Sequence, residues 1–159
     1  MQATIDNPYG PTSRAEIAQF ETRQKLSLPD EYKAFLLKYN GGMPTPNGFA
    51  IPGWHGQESS LGVFYGIHEH PDYSLDGACE TYEERVPADL IPIGTDAFGN
   101  NVCMGWKGKR RGKVYFWDHE DELDEHGRFR QDYGNVYPLA NSLTEFLNNL
   151  REWEDEECE

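Results

Sequence analysis

The sequence predicts an α+β fold, a mainly antiparallel sheet of about five to six strands flanked by helices. Three observations carry that expectation. Between Leu90 and Trp117, three short apolar segments alternate with two turn-forming stretches, the pattern of an antiparallel meander. Tyr32, Phe35, Leu36 and Tyr39 recur at i, i+3, i+4 and i+7, one continuous helical face. Two Ser-x-x-Glu sequences, Ser13 to Glu16 and Ser142 to Glu145, each open an amphipathic run in the manner of a capping box.

Taken in order, residues 1–12 are rich in Pro, Gly and Asn and read as a loosely held N-terminal arm. The first helix starts at Ser13 and turns Ile17 and Phe20 inward; losing such a cap typically costs ~1 kcal/mol. Ser27-Leu28-Pro29 ends it and starts a second helix, because proline suits a first helical turn. Asn40-Gly41-Gly42 stops that helix, since glycine readily takes the left-handed conformation. Phe49–Pro52 and Leu61–Ile67 are strand-like, with a polar loop containing Trp54 and His55 between them. Ser74–Arg85 reads as a short amphipathic helix with Leu75, Ala78, Cys79 and Tyr82 on one side.

In the meander, Leu90–Thr95 is a strand interrupted by Pro92, and DAFGN (96–100) is a tight turn. Asn101–Trp106 is the second strand, KGKRRG (107–112) a hairpin loop, and Lys113–Trp117 the third strand. Val114 and Phe116 point one way, Tyr115 and Trp117 the other. So apolar a meander must bury at least one face, and the helices are the segments able to cover it. Asp118–Asp132 follows with seven carboxylates, then a short strand over Val136–Pro138, and a closing helix with Leu143, Phe146, Leu147 and Leu150 inward.

At 159 residues the chain is read as a single domain, 1–159, ending in an acidic tail, EWEDEECE (152–159). The apolar share, 37%, is low, but nine Tyr, eight Phe and four Trp each bury a large area. Net charge is −14, from 28 acidic and 14 basic residues. That balance repels a phosphate backbone and counts against nucleic acid; it suits a partner with a basic surface. The five basic residues of 107–113 suggest phosphate contact, but a solvated hairpin tip explains them as well. Cys79, Cys103 and Cys158 are odd in number and widely spaced, which suits a reducing compartment. MQATIDNPYGPTSR has no basic region followed by an apolar run, and no segment approaches the ~18 apolar residues of a bilayer span. The expectation is a cytoplasmic protein with no membrane partner.

Nothing in the sequence assembles a reaction centre, so neither a catalytic residue nor a cofactor is expected. There is no GxSxG, no GxxxxGK[ST] and no GxGxxG. His68-Glu69-His70 has ligand-type residues at i and i+2, but no HExxH or CxxC supports a metal. An EF-hand register starting at Asp118 puts Leu123 where the loop needs glycine; aligning on Gly127 puts Tyr133 where it needs glutamate.

Four stretches together resemble the SUKH superfamily, which includes the fungal Smi/Knr cell-wall regulators and many bacterial immunity proteins. They are Leu28-Pro29-Asp30-Glu31-Tyr32 through Asn40-Gly41-Gly42; Leu90-Ile91-Pro92-Ile93-Gly94-Thr95-Asp96 with Gly99 and Val102; Gly112 through His119; and Ala140 through Leu147. Their order and spacing cover residues 13–150. The resemblance implies an α+β fold in which Pro29, Gly41, Gly42, Gly94 and Gly99 set backbone conformation. For bacterial members it implies binding and neutralising a cognate protein toxin, often a nuclease, without chemistry; for fungal members it implies a regulatory scaffold. Residues 121–135 are longer and more acidic than the family's usual passage into the last strand.

A nuclease cleft is basic, and an acidic inhibitor can be steered to it. The candidate partner-binding residues are therefore Asp118, Glu120, Asp121, Glu122, Asp124 and Glu125. A second patch comprises Asp72, Asp76, Glu80, Glu83 and Glu84. Trp54 and Tyr73 are candidate aromatic anchors.

Overall fold

The structure is a computed structural model that describes residues 3–152. Its main sheet has six antiparallel strands in strictly sequential order: β3 (Gly48–Ala50), β4 (Glu58–Phe64), β5 (Leu90–Asp96), β6 (Asn101–Gly105), β7 (Val114–Trp117) and β8 (Val136–Ala140). A second sheet pairs β1 (Thr4–Asp6) with β2 (Met43–Thr45). Four helices complete the α+β architecture: α1 (Arg14–Gln24), α2 (Asp30–Tyr39), α3 (Leu75–Thr81) and α4 (Leu143–Asn148).

The three strands of the meander form as expected, and their register sets Val102 opposite Phe116 and Met104 opposite Val114. It is buried on both faces. On one side Ile91, Ile93, Val102, Met104, Val114 and Phe116 join the helices in the larger core. On the other, Leu90, Cys103, Tyr115 and Trp117 pack with Val86 in a smaller one. The serine half of both capping boxes forms: Ser13 Oγ accepts from Glu16 N at 3.2 Å, and Ser142 Oγ from Glu145 N at 3.0 Å. Glu16 accepts from the Ser13 hydroxyl, and Glu145 from Asn141 N, instead of from the cap N–H. Pro29 stands just before α2 as its cap, one position earlier than expected, and its carbonyl accepts from Lys33 N.

The N-terminal arm is a correction. Loosely held by composition, residues 4–6 are instead a strand, with Ile5 opposite Pro44. Two asparagines tie it down. Asn7 Nδ2 donates to Tyr39 O (2.7 Å), and Asn40 Nδ2 to Gly10 O and Ile67 O (3.0 Å each) while its Oδ1 accepts from Ile67 N. Gly41 and Gly42 have positive φ, and a Cβ there would lie 2.5 Å from Tyr65 O and 2.6 Å from Asp6 O respectively. The stop signal after α2 is thus also where the arm packs.

Other boundaries shift for physical reasons. β4 begins at Glu58, because the polar Glu58-Ser59-Ser60 pairs with β3; Ser59 Oγ also donates to the buried Asp96. α3 ends at Thr81 rather than Arg85, and the segment after it reaches positive φ at Glu84. β8 continues through Ala140. Glu31 reaches across the molecule to α4, accepting from Leu143 N and Thr144 Oγ1 at 2.7 Å each. The acidic tail beyond Glu152, with Cys158, lies outside the described residues.

Candidate functional site

The acidic segment after β7 is an ordered hairpin. Arg130 N donates to Glu122 O (2.7 Å), Asp124 N to Arg128 O (2.7 Å), and Leu123 bridges Phe129. Asp124 builds the turn: its Oδ1 accepts from His126 N (2.8 Å) and Arg128 N (3.0 Å). The hydrogen bond from Arg128 N, with that from His126 N and the nearby cations, holds its carboxyl below the usual range. Across the strands of the hairpin Arg130 donates to Asp121 O and reaches both Asp121 Oδ1 and Asp132 Oδ2.

The hairpin is attached to the segment after α3 by Arg85. Its guanidinium makes a bidentate pair with Glu122 (2.9 and 3.0 Å) and lies over Tyr82, Trp117 and Phe129 at 4.8, 5.7 and 6.0 Å. Gln131 Nε2 donates to Glu84 O nearby. The two acidic regions singled out in the sequence are therefore joined at Glu84 and, through Arg85, at Glu122. Asp72, before the start of α3, takes no part in that junction.

Several candidate residues are turned to internal use. Asp118 is 4% exposed, so it is not a surface contact group: its carboxylate accepts from Trp54 Nε1 and Glu120 N, both at 3.0 Å. Trp54 is half-buried against Phe116, ring centroids 4.8 Å apart, and packs on the core. Glu122 is occupied by Arg85. Asp76 takes a bidentate contact from Arg23 (3.1 and 2.9 Å) and one from Gln24 (2.8 Å). Burial opposes its charge, yet those hydrogen bonds prevail and carry its pKa below the ordinary value. Tyr73 is half-buried, stacked on His70 at 4.7 Å. Glu120, Asp121, Glu125, Asp72, Glu80, Glu83 and Glu84 remain exposed.

The histidine pair is likewise spoken for. His68 Nδ1 accepts from His70 N (3.2 Å), His70 Nδ1 accepts from Asp72 N (3.1 Å), and both rings lie against Tyr9. Among the described residues no group of three or more His, Cys, Asp or Glu is arranged to hold a metal. Burial pushes the Cys79 thiol up to about 12 and the Cys103 thiol up as well, so neither is a thiolate at neutral pH. No described helix is long and apolar enough to cross a membrane. The basic loop is partly internal too: Arg110 pairs with Asp89 and lies 3.6 Å over Tyr133, and Arg111 donates to Ser27 O and Leu28 O. The arrangement presents charge on a fixed scaffold.

Residues 11–149 match the SMI1 / KNR4 family (SUKH-1). The chain belongs to that family. It is also 30% identical, over 165 aligned positions, to the SPbeta prophage-derived uncharacterized protein YokK of Bacillus subtilis (strain 168); the match covers 92% of this chain and 80% of that protein. The SUKH-1 match runs from α1 through α4 and leaves β1 outside it. Membership of SUKH-1 fits a role of the immunity-protein type.

Two groups important to this SUKH-1 surface were not singled out in the sequence. One is Arg85, read only as the end of a helix, though it follows two glutamates and precedes a Val-Pro stop. The other is the pair Leu123 and Phe129, 48% and 42% exposed. An isolated large apolar residue inside a charged turn, as in Arg128-Phe129-Arg130, was the available signal.

Proposed function

We propose that this protein binds and neutralises a cognate bacterial protein toxin in the cytoplasm, without chemistry of its own, through its acidic face. One observation carries the reading: Glu80, Glu83, Glu84, Glu120, Asp121 and Glu125 stand exposed on or beside an ordered hairpin in a chain of charge −14. A nuclease is the toxin class whose basic cleft fits that face, and long-range attraction would speed the encounter. The prophage origin in the Bacillus relative's name supports a role in conflict between cells over the regulatory scaffold suggested by the fungal members.

The test is co-expression with the toxin domain encoded beside this chain's gene. Rescue of growth and a stable complex are expected, with association slowed by salt. Glu120→Lys with Glu125→Lys should slow association at least about tenfold at low salt. A toxin that still kills in the presence of the folded protein, or an absence of any such neighbour, defeats the proposal and favours the scaffold reading.

A further inference from the structure

The hairpin and the segment after α3 do not close against α1. An open groove of about 1140 Å³ lies between them. Leu26 from the end of α1, Tyr82 and Val86 after α3, Pro92 of β5, Trp106 after β6 and Phe129 of the hairpin give it an apolar lining. Glu80, Glu83 and Glu84 line it as well, all exposed. Among the described residues none of these three has a cation within 4.0 Å, as the ion pairs elsewhere show.

The groove's own cations do not cancel them. Arg23 is held by Asp76 at 2.9 Å, and Arg128 lies 3.9 Å from Asp124. That leaves Lys25 as the one groove cation without an ion pair among the described residues, against three free carboxylates. Small-molecule sites usually enclose ~300–1,000 Å³ and are mostly apolar. This one is larger, open and charged along its edge, proportions that suit a length of polypeptide. A second copy of the chain, itself at −14, would be repelled.

We propose that the groove receives a segment of the neutralised toxin in which an aromatic or aliphatic side chain enters beside Trp106 and Phe129, while flanking lysines or arginines meet Glu80, Glu83 and Glu84. This rests on the toxin-binding reading and adds the chemistry of the docking segment. Charge alone would make any basic surface a partner; the apolar cleft selects one whose cations bracket a hydrophobic anchor.

The probe is a synthetic peptide, acetyl-GKRLWRKG-amide, titrated into the full-length protein and followed by amide NMR. Controls are the same peptide with GS replacing LW, and acetyl-GEELWEEG-amide. Perturbation is expected at Leu26, Val86 and Phe129 and at the Trp106 indole, with both controls weaker by at least about tenfold. Phe129→Ala should weaken binding by a similar factor, Phe129→Leu should restore it, and Glu80→Lys with Glu83→Lys should abolish it, all with unchanged thermal midpoints. The proposal is overturned if the peptide does not bind, if the GS peptide binds equally, or if the shifts fall on Glu120–Glu125 instead. The two readings fail differently. Unrescued toxicity defeats neutralisation, whereas a toxin complex undisturbed by Phe129→Ala with Glu80→Lys and Glu83→Lys defeats the groove.

Discussion

Strands β5, β6 and β7 and the hairpin of residues 122–130 adjoin in the chain but keep their shapes by different means. Every residue of β6 and β7 is buried, and their register follows from alternation between two apolar faces. The hairpin has no buried side chain. It is shaped by carboxylates and guanidiniums acting on its own backbone, and it is fastened to the rest mainly at Arg85. Apolar burial responds only weakly to moderate salt and carries no charge of its own to titrate, whereas a framework of charges is screened by salt and altered by pH.

The comparison is broken most forcefully in the sheet. Phe116 is fully buried, and Phe116→Ala should cost ~3–5 kcal/mol in denaturant unfolding. A cost under ~1 kcal/mol would mean that the meander is not the scaffold. Next comes the junction. Arg85→Ala removes a bidentate pair and leaves Glu122 with little exposure, at a cost of about 1–2 kcal/mol. Its clearer readout is hydrogen exchange: the amides of Asp124 and Arg130 should exchange much faster while those of β6 do not. Uniform acceleration would show that hairpin and sheet open as one unit.

A smaller effect concerns pH. Burial, with His70 beside it, holds the His68 pKa below the ordinary value of about 6.5. The folded state therefore favours the neutral ring, so this stabilisation is present above the unfolded pKa and lost as pH falls through the lower folded one. An NMR titration should place His68 below an unstructured histidine, and His68→Gln should flatten that part of the stability profile. A midpoint at or above the unstructured value refutes it. Least of all in stability, Glu120→Lys with Glu125→Lys should change unfolding by no more than ~0.5 kcal/mol while slowing toxin association. Those two positions separate recognition from folding most cleanly.

The sheet was legible because its signals are local and redundant. Alternation, the DAFGN turn and two capping boxes each specify an element without knowledge of its neighbours. The β1–β2 pair was not, because three-residue strands carry no periodicity and Asn7 and Asn40 work through long-range contacts to the backbone. The acidic site was half legible. Composition located it, but one carboxylate in such a run looks like the next. Only the fold shows that Asp118 serves Trp54, Glu122 serves Arg85 and Asp124 serves its own turn, leaving Glu120, Asp121 and Glu125 outward. Phe129 carries little sequence signal, because a lone apolar residue in a charged loop is common on protein surfaces.

The base of the acidic loop is a double clasp: Asp118 N donates to Asn135 O at 3.0 Å, and Asn135 Nδ2 returns to Asp118 O at 2.9 Å. Both residues are buried, so the clasp is fixed by the sheet and indifferent to what is strung beyond it. The β7–β8 register at this end therefore rests on hydrogen bonds between Asp118 and Asn135 that residues 120–132 do not supply.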